Sequence, residues 1–142
     1  MIPYSLTMRS NPADREQPQK AYANAQSRQI LDINQFAAHI TGHGCVYSRG
    51  DIAAILTMAV DCIKEQILAG NAVQLGDLGK FSARLTCKGA PSFEEFNSQT
   101  HIRKVNVRWA PGTLFKNLKD EAVFERVLTK DDLASAKKKA YN

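Results

Sequence analysis

Apolar residues recur at helical spacing at the start of the central part of the chain. The pattern begins after Asp32, a residue type favoured at helix N-caps, and ends at Gly42. A second helix is predicted to begin at Ser48, which has Asp51 three residues further on in a weaker form of the capping box, and to end at Gly70. Two helices therefore open the central part.

The second helix is apolar around most of its circumference. Its strongly polar residues are few, namely Thr57, Asp61, Lys64, Glu65 and Gln66, and all except Gln66 form one narrow stripe. A helix that is apolar this far round must be covered on several sides. Because so short a chain offers few elements that could cover it, we expect a homodimer with this helix in the interface.

Beyond Asn71 the apolar period changes to the alternation that is typical of strands. Three strands are predicted, at residues 73–75, 81–85 and 103–109, with a turn at residues 76–79 and a long excursion over residues 87–101. Pro111 and Gly112 end the third strand, and a short helix is predicted after them. The predicted fold class is α+β, with helices first and a sheet second.

Alternation also assigns the side chains of the last two strands to faces. If these strands are neighbours, one face of the sheet is apolar and packs on the helices. The other face is basic and consists of Ser82, Arg84, Thr86, Lys104, Asn106 and Arg108. Such a composition suits a phosphate backbone, but any half-exposed sheet with a solvated basic face has the same pattern, so both interpretations stay open.

The two ends of the chain are interpreted as extensions. Residues 4–8 alternate as in a short strand, residues 14–20 resemble a loop, and residues 21–28 fit either a strand or a helix. Residues 122–128 fit another strand, and Thr129 with the acidic residues after it predicts a terminal helix. The expected organisation is an N-terminal extension (residues 1–31), a central domain (32–119) and a C-terminal extension (120–142).

Positive charge is concentrated in parts of the chain. The net charge is +5 and the isoelectric point is about 9.2, which favours an anionic partner. Residues 82–108 carry five basic and two acidic residues, whereas residues 32–81 carry three basic and five acidic residues. Hydrophobic residues make up 44% of the chain, enough for a core, and neither a membrane-spanning run nor a signal-like start is found. We therefore expect a cytoplasmic protein.

The sequence offers no motif for catalysis or metal binding. Three scattered cysteines without a CxxC pair predict reduced thiols. His39 and His43 have the spacing of a metal pair, with Cys45 close by, but the intervening glycines are expected to end the helix and keep the two imidazoles apart. No titratable residues converge, and the Gly76–Gly79 turn lacks the length of a phosphate loop. We expect no metal, no other cofactor, no small-molecule substrate and no enzymatic activity.

Two motifs resemble the bacterial histone-like HU/IHF family, in a longer subgroup with extensions at both ends. The first is VQLGDLGKF at residues 73–81, where a strand meets a tight turn and then an aromatic residue. The second is VRWAPG at residues 107–112, followed by Leu114 and Lys116. The resemblance covers about residues 32–119. It implies an intertwined dimer with a three-stranded antiparallel sheet, two β-ribbon arms formed by the excursion, and a short C-terminal helix.

The resemblance also implies a function. The sheets of the dimer form a saddle under double-stranded DNA, and the arms enter the minor groove, where a proline wedges between base steps. This mode implies largely sequence-independent DNA binding and nucleoid organisation. The DNA-binding residues implied by position are Arg84, Lys88, Arg103, Lys104 and Arg108 on the saddle and arm, Pro91 as the wedge, and Lys116 on flanking phosphate.

The arm segment departs from the family's pattern. No Arg-Asn precedes Pro91, and Glu94 and Glu95 would repel phosphate. Phe93 and Phe96 either intercalate or pack the arm onto the body, and packing is favoured because aromatic residues usually find a core. The alternative function is therefore an HU-like dimeric structural or protein-interaction module with weak or lost DNA binding.

Overall fold

A computed structural model describes residues 1–140 of the chain. Tyr141 and Asn142, the last two residues of the expected C-terminal extension, lie outside the described residues. The described chain divides into two compact units: a central unit of residues 31–118, and a terminal unit that combines residues 1–30 with residues 119–140. Within residues 1–140 no helix is long and apolar enough to cross a membrane.

The central unit contains two helices followed by a three-stranded antiparallel sheet. Its elements are α1 (Ile33–Thr41), α2 (Arg49–Leu68), β3 (Val73–Gln74), β4 (Gly79–Cys87), a helical turn α3 (Ser98–His101) and β5 (Ile102–Pro111). The strand order in the sheet is β3-β4-β5. A 3₁₀ turn, Thr113–Phe115, follows the last strand. The predicted α+β class is confirmed, and two helices precede a three-stranded sheet in the central unit.

Both helices begin at the predicted caps, and each cap is a complete capping box. Asp32 accepts a hydrogen bond from the Gln35 amide (2.8 Å), and the Gln35 side chain accepts one from the Asp32 amide (3.0 Å). At the second helix the Asp51 amide donates to the Ser48 hydroxyl (3.1 Å), and the Ser48 amide donates to the Asp51 carboxylate (3.0 Å). These bonds satisfy amides that the first helical turn leaves without partners.

The terminal unit brings segments from both ends of the chain into one sheet. Its elements are β1 (Ile2–Arg9), β2 (Lys20–Ala25), β6 (Phe124–Arg126) and α4 (Lys130–Ala140). The strand order in the sheet is β2-β1-β6. Strand β1 pairs antiparallel with β2 and parallel with β6. The sequence of residues 21–28 fits either a strand or a helix, and residues 21–25 lie in strand β2.

One expectation about the central unit is wrong. The excursion between β4 and β5 is not a β-ribbon arm: strand pairing ends at Cys87 and Ile102, and the chain between them forms a loop and the single turn α3. Gly89 and Pro91 explain the difference, because proline lacks the N–H that a strand ladder needs and glycine weakens strand structure.

Candidate nucleic-acid interface

The register between β4 and β5 places the basic residues on one face of the central sheet. Directly opposite pairs share a face in an antiparallel sheet. On one face the pairs are Phe81–Trp109, Ala83–Val107 and Leu85–Val105, and on the other they are Ser82–Arg108, Arg84–Asn106 and Thr86–Lys104. The faces expected from alternation are those that the pairing produces.

Each cation on this basic face lies opposite a small polar residue rather than another cation. Asn106 also donates a hydrogen bond to the Thr86 hydroxyl (3.3 Å). Arg84, Lys104 and Arg108 are exposed, and none of them forms an ion pair with a side chain that the structure describes. The face therefore offers several unneutralised cations to an anionic partner, with hydroxyl and amide donors between them.

Sequence reasoning missed one member of this face. Lys80 lies two residues before Ser82 on β4, opposite Ala110, and it is exposed. Lys80 has the same parity as Arg84, which could have identified it, but it lies in the turn motif before the predicted strand at residues 81–85. The basic face, as we define it from here on, consists of Lys80, Arg84, Lys104 and Arg108.

The other predicted residues lie away from the centre of the basic face. Arg103 is the extra residue at a register shift, where Thr86 pairs with Lys104 but Cys87 pairs with Ile102. The amide of Lys88 donates to the His101 carbonyl (2.7 Å), which fixes Lys88 at the base of the loop. Pro91 is exposed within that loop, and Lys116 follows the 3₁₀ turn beyond the other end of β5.

The two phenylalanines of the loop differ in their surroundings. The Phe96 ring stacks on the His101 ring, with centroids 5.2 Å apart and an interplanar angle of 26°. Phe93 is 98% exposed. Phe96 therefore packs within the excursion, on His101, and the expectation of packing is wrong for Phe93 in the single chain.

The two motifs that carried the family resemblance meet in space. The amide of Gly112 donates to the Leu78 carbonyl (3.1 Å), and the indole N–H of Trp109 donates to the same oxygen (3.1 Å). A Cβ on Gly79 would overlap the Ala110 carbonyl oxygen, and a Cβ on Gly112 would overlap the backbone of the 76–78 turn. Because Gly79 and Gly112 have no Cβ, the turn at residues 76–79 can pass close to the turn at Pro111 and Gly112, at the end of the basic face.

The histidine pair also differs from expectation. Although α1 ends at Thr41, the Nε2 atoms of His39 and His43 lie 3.3 Å apart, and the rings meet edge to face. The two imidazoles are thus neighbours despite Gly42 between them. No group of three or more potential metal ligands occurs in the part of the chain that the structure describes.

These features define an HU-like unit, in which two capped helices precede a sheet with one basic and one apolar face. The chain belongs to the HU-HIG family, described as an HU domain fused to wHTH, Ig, or glycine-rich motif, whose profile matches residues 1–126. The match includes the N-terminal segment as well as the central unit.

One solved structure has a similar fold. It is a provisionally assigned bacterial DNA-binding protein from Bacteroides vulgatus, with a TM-score of 0.60 and 11% sequence identity. The match covers 88% of this chain and 48% of that chain, so this chain spans about half of its length. A search of the curated proteins finds no match.

Proposed function

We propose that the chain binds double-stranded DNA through the basic face, largely without reading sequence, and that it does so as a homodimer. The observation that carries the proposal is the β4–β5 register, which collects the four cations on one exposed face. Arginine and lysine neutralise phosphate charge, and small polar side chains between them donate to phosphate oxygens. Membership of a family defined by an HU domain supports this assignment.

The finer assignments belong to the same proposal. Residues 32–119 act as the DNA-binding domain; Lys88, Arg103 and Lys116 add contacts beyond the basic face, and Pro91 is the candidate wedge. Because the loop is not a ribbon, bending the duplex depends on how this loop meets the minor groove rather than on long arms. The protein organises DNA in the cytoplasmic nucleoid and performs no catalysis.

The homodimer is supported by apolar surface that a single chain leaves uncovered. Several large side chains of α2 and the sheet are more than half exposed, namely Ile55, Met58, Val60, Leu68, Leu85, Val105 and Val107. Ile55 and Met58 are neighbours on one side of α2, and Leu85, Val105 and Val107 share one face of the sheet, so these exposed apolar residues are grouped, which is unusual for a monomeric soluble protein. A second copy of the chain is the cover that we propose.

The test is a titration of labelled random-sequence duplex, followed by fluorescence anisotropy between about 50 and 200 mM salt. The parent is expected to bind with log affinity falling linearly against log salt. Replacing Arg84, Lys104 and Arg108 together with Gln should lower the slope by about 0.9 for each lost phosphate contact. Circular dichroism should show that the triple variant keeps its fold.

A matched control removes the same charge elsewhere. Lys64→Gln, Lys119→Gln and Lys130→Gln together change the net charge equally but leave the basic face intact. If this control weakens binding as much as the triple variant does, net charge rather than the basic face carries the affinity, and the proposed site is wrong.

A second candidate function rests on the loop between β4 and β5. Its exposed Phe93 stands beside Glu94 and Glu95, and carboxylates here oppose phosphate binding. A dimeric structural or protein-interaction module is the function that these residues favour. Absence of duplex binding by the parent even at low salt would select this alternative.

A further inference from the structure

A second cationic site lies in the terminal unit, at the end of the hairpin formed by β1 and β2. An open cleft of about 440 Å³ is found there. It is lined by two cations, four neutral hydrogen-bonding side chains and two prolines, namely Arg9, Lys20, Ser10, Asn11, Gln17, Tyr22, Pro12 and Pro18. No carboxylate is among these lining residues, although Asp14 and Glu16 belong to the same turn.

The two cations are directly opposite each other. Arg9 pairs with Lys20 in the β1–β2 register, so their side chains leave the same face of the sheet. Like charges in this position destabilise a strand pair. Among the side chains that the structure describes, neither cation has an ion-pair partner. The basic face of the central unit avoids this arrangement, since each of its cations faces a neutral residue.

The Arg9 guanidinium is held in place on this face. One of its nitrogens donates to the side-chain oxygen Oδ1 of Asn24 (2.8 Å), and the side-chain nitrogen Nδ2 of Asn24 donates to the Thr7 hydroxyl. A guanidinium has five N–H donors, so fixing one of them orients the planar fork that matches phosphate. Lys20 adds a point charge on the same face.

We propose that this cleft binds a phosphodiester group of duplex DNA, as a contact separate from the basic face. An anion between Arg9 and Lys20 would relieve their repulsion, and the neighbouring hydroxyl and amide groups can donate to its remaining oxygens. The choice of DNA rather than free phosphate rests on the proposed function. Duplex DNA and free phosphate present the same chemical group to the cleft, namely phosphate oxygens.

The experiment is an amide chemical-shift titration of the full ¹⁵N-labelled chain. One arm adds a duplex of about 20 base pairs, and the other adds inorganic phosphate at equal ionic strength. The duplex is expected to shift the amides of Arg9, Lys20 and Tyr22, and Arg9→Gln with Lys20→Gln should abolish those shifts. In the anisotropy assay the same double variant should lower the salt slope by about 1.8 per protomer.

The control is Lys64→Gln with Lys119→Gln, which removes two charges outside the cleft and should leave both readouts unchanged. Shifts with phosphate alone, without any duplex effect, would overturn the DNA assignment, and so would shifts in neither arm. Failure of the main proposal has a different signature: the amides of β4 and β5 would stay unshifted by duplex while those of the cleft move.

Discussion

At the scale of single residues, the crossing of the two turns depends on Gly79 and Gly112. Gly79 has a φ of 125°, a region that side-chain-bearing residues rarely adopt, and a Cβ at either position would meet backbone atoms. Gly79→Ala and Gly112→Ala should each lower the free energy of unfolding by at least about 2 kcal/mol. Gly89→Ala, in open space in the loop, is the control and should be nearly neutral in the same urea titration.

The two loop phenylalanines provide a second prediction at this scale. Phe96→Ala removes the stacking contact with His101 and should destabilise the chain by about 1 kcal/mol. Phe93→Ala removes a side chain that is 98% exposed and should leave thermal stability unchanged. Equal destabilisation by both substitutions would mean that Phe93 is packed, for example against a second copy.

Residue parity explains how much of the basic face could be predicted from sequence. The face of Arg84 and of Arg108 is predictable because side chains alternate strictly along a strand. The face of Arg103 is not, because a register shift of one residue changes the face that a side chain occupies, and the sequence pattern gives no sign of the shift beside Cys87.

At the scale of elements, the N-terminus of α2 should respond to pH. Hydrogen bonds from the Ser48 hydroxyl and amide lower the pKa of Asp51 below its ordinary value of 3.8. Because the folded-state pKa is the lower one, the carboxylate stabilises the fold above the unfolded pKa, and this contribution is lost as pH falls through the folded pKa.

The measurement is the melting temperature of parent and Asp51→Asn between about pH 7 and about pH 3. The parent should lose more stability on acidification than Asp51→Asn, since only the parent has a carboxylate at this cap. Asp61→Asn, on the polar stripe of the same helix, controls for the loss of one acidic charge. Ser48→Ala should cost about 1 kcal/mol at neutral pH.

Helices and strands set by local signals are predictable from the sequence, whereas the pairing of strands that are distant in the chain is not. The helices follow from caps and periodicity that lie within a few neighbouring residues. The parallel pairing of β1 with β6 joins Ile2 to Phe124, and nothing in either segment specifies the other. The two chain ends therefore seemed to be separate extensions, although they share one sheet.

At the scale of the whole molecule, exposed surface favours a partner for the chain. Ile67 is buried on one side of α2, whereas Met58, nine residues earlier and therefore on the opposite side of the helix, is 65% exposed. Covering this surface with a second copy would stabilise both chains through apolar burial.

The last prediction concerns the mass of the protein in solution. Sedimentation equilibrium should give about twice 15.7 kDa, and the melting temperature should rise with protein concentration, because dimerisation is coupled to folding. Met58→Glu places a charge in the proposed interface and should dissociate the dimer, whereas Lys64→Glu, on the polar stripe, should not. A parent that sediments as a monomer at every concentration would contradict the homodimer. The basic face would then have to bind DNA from a single chain, and the salt slope would be correspondingly about half as steep.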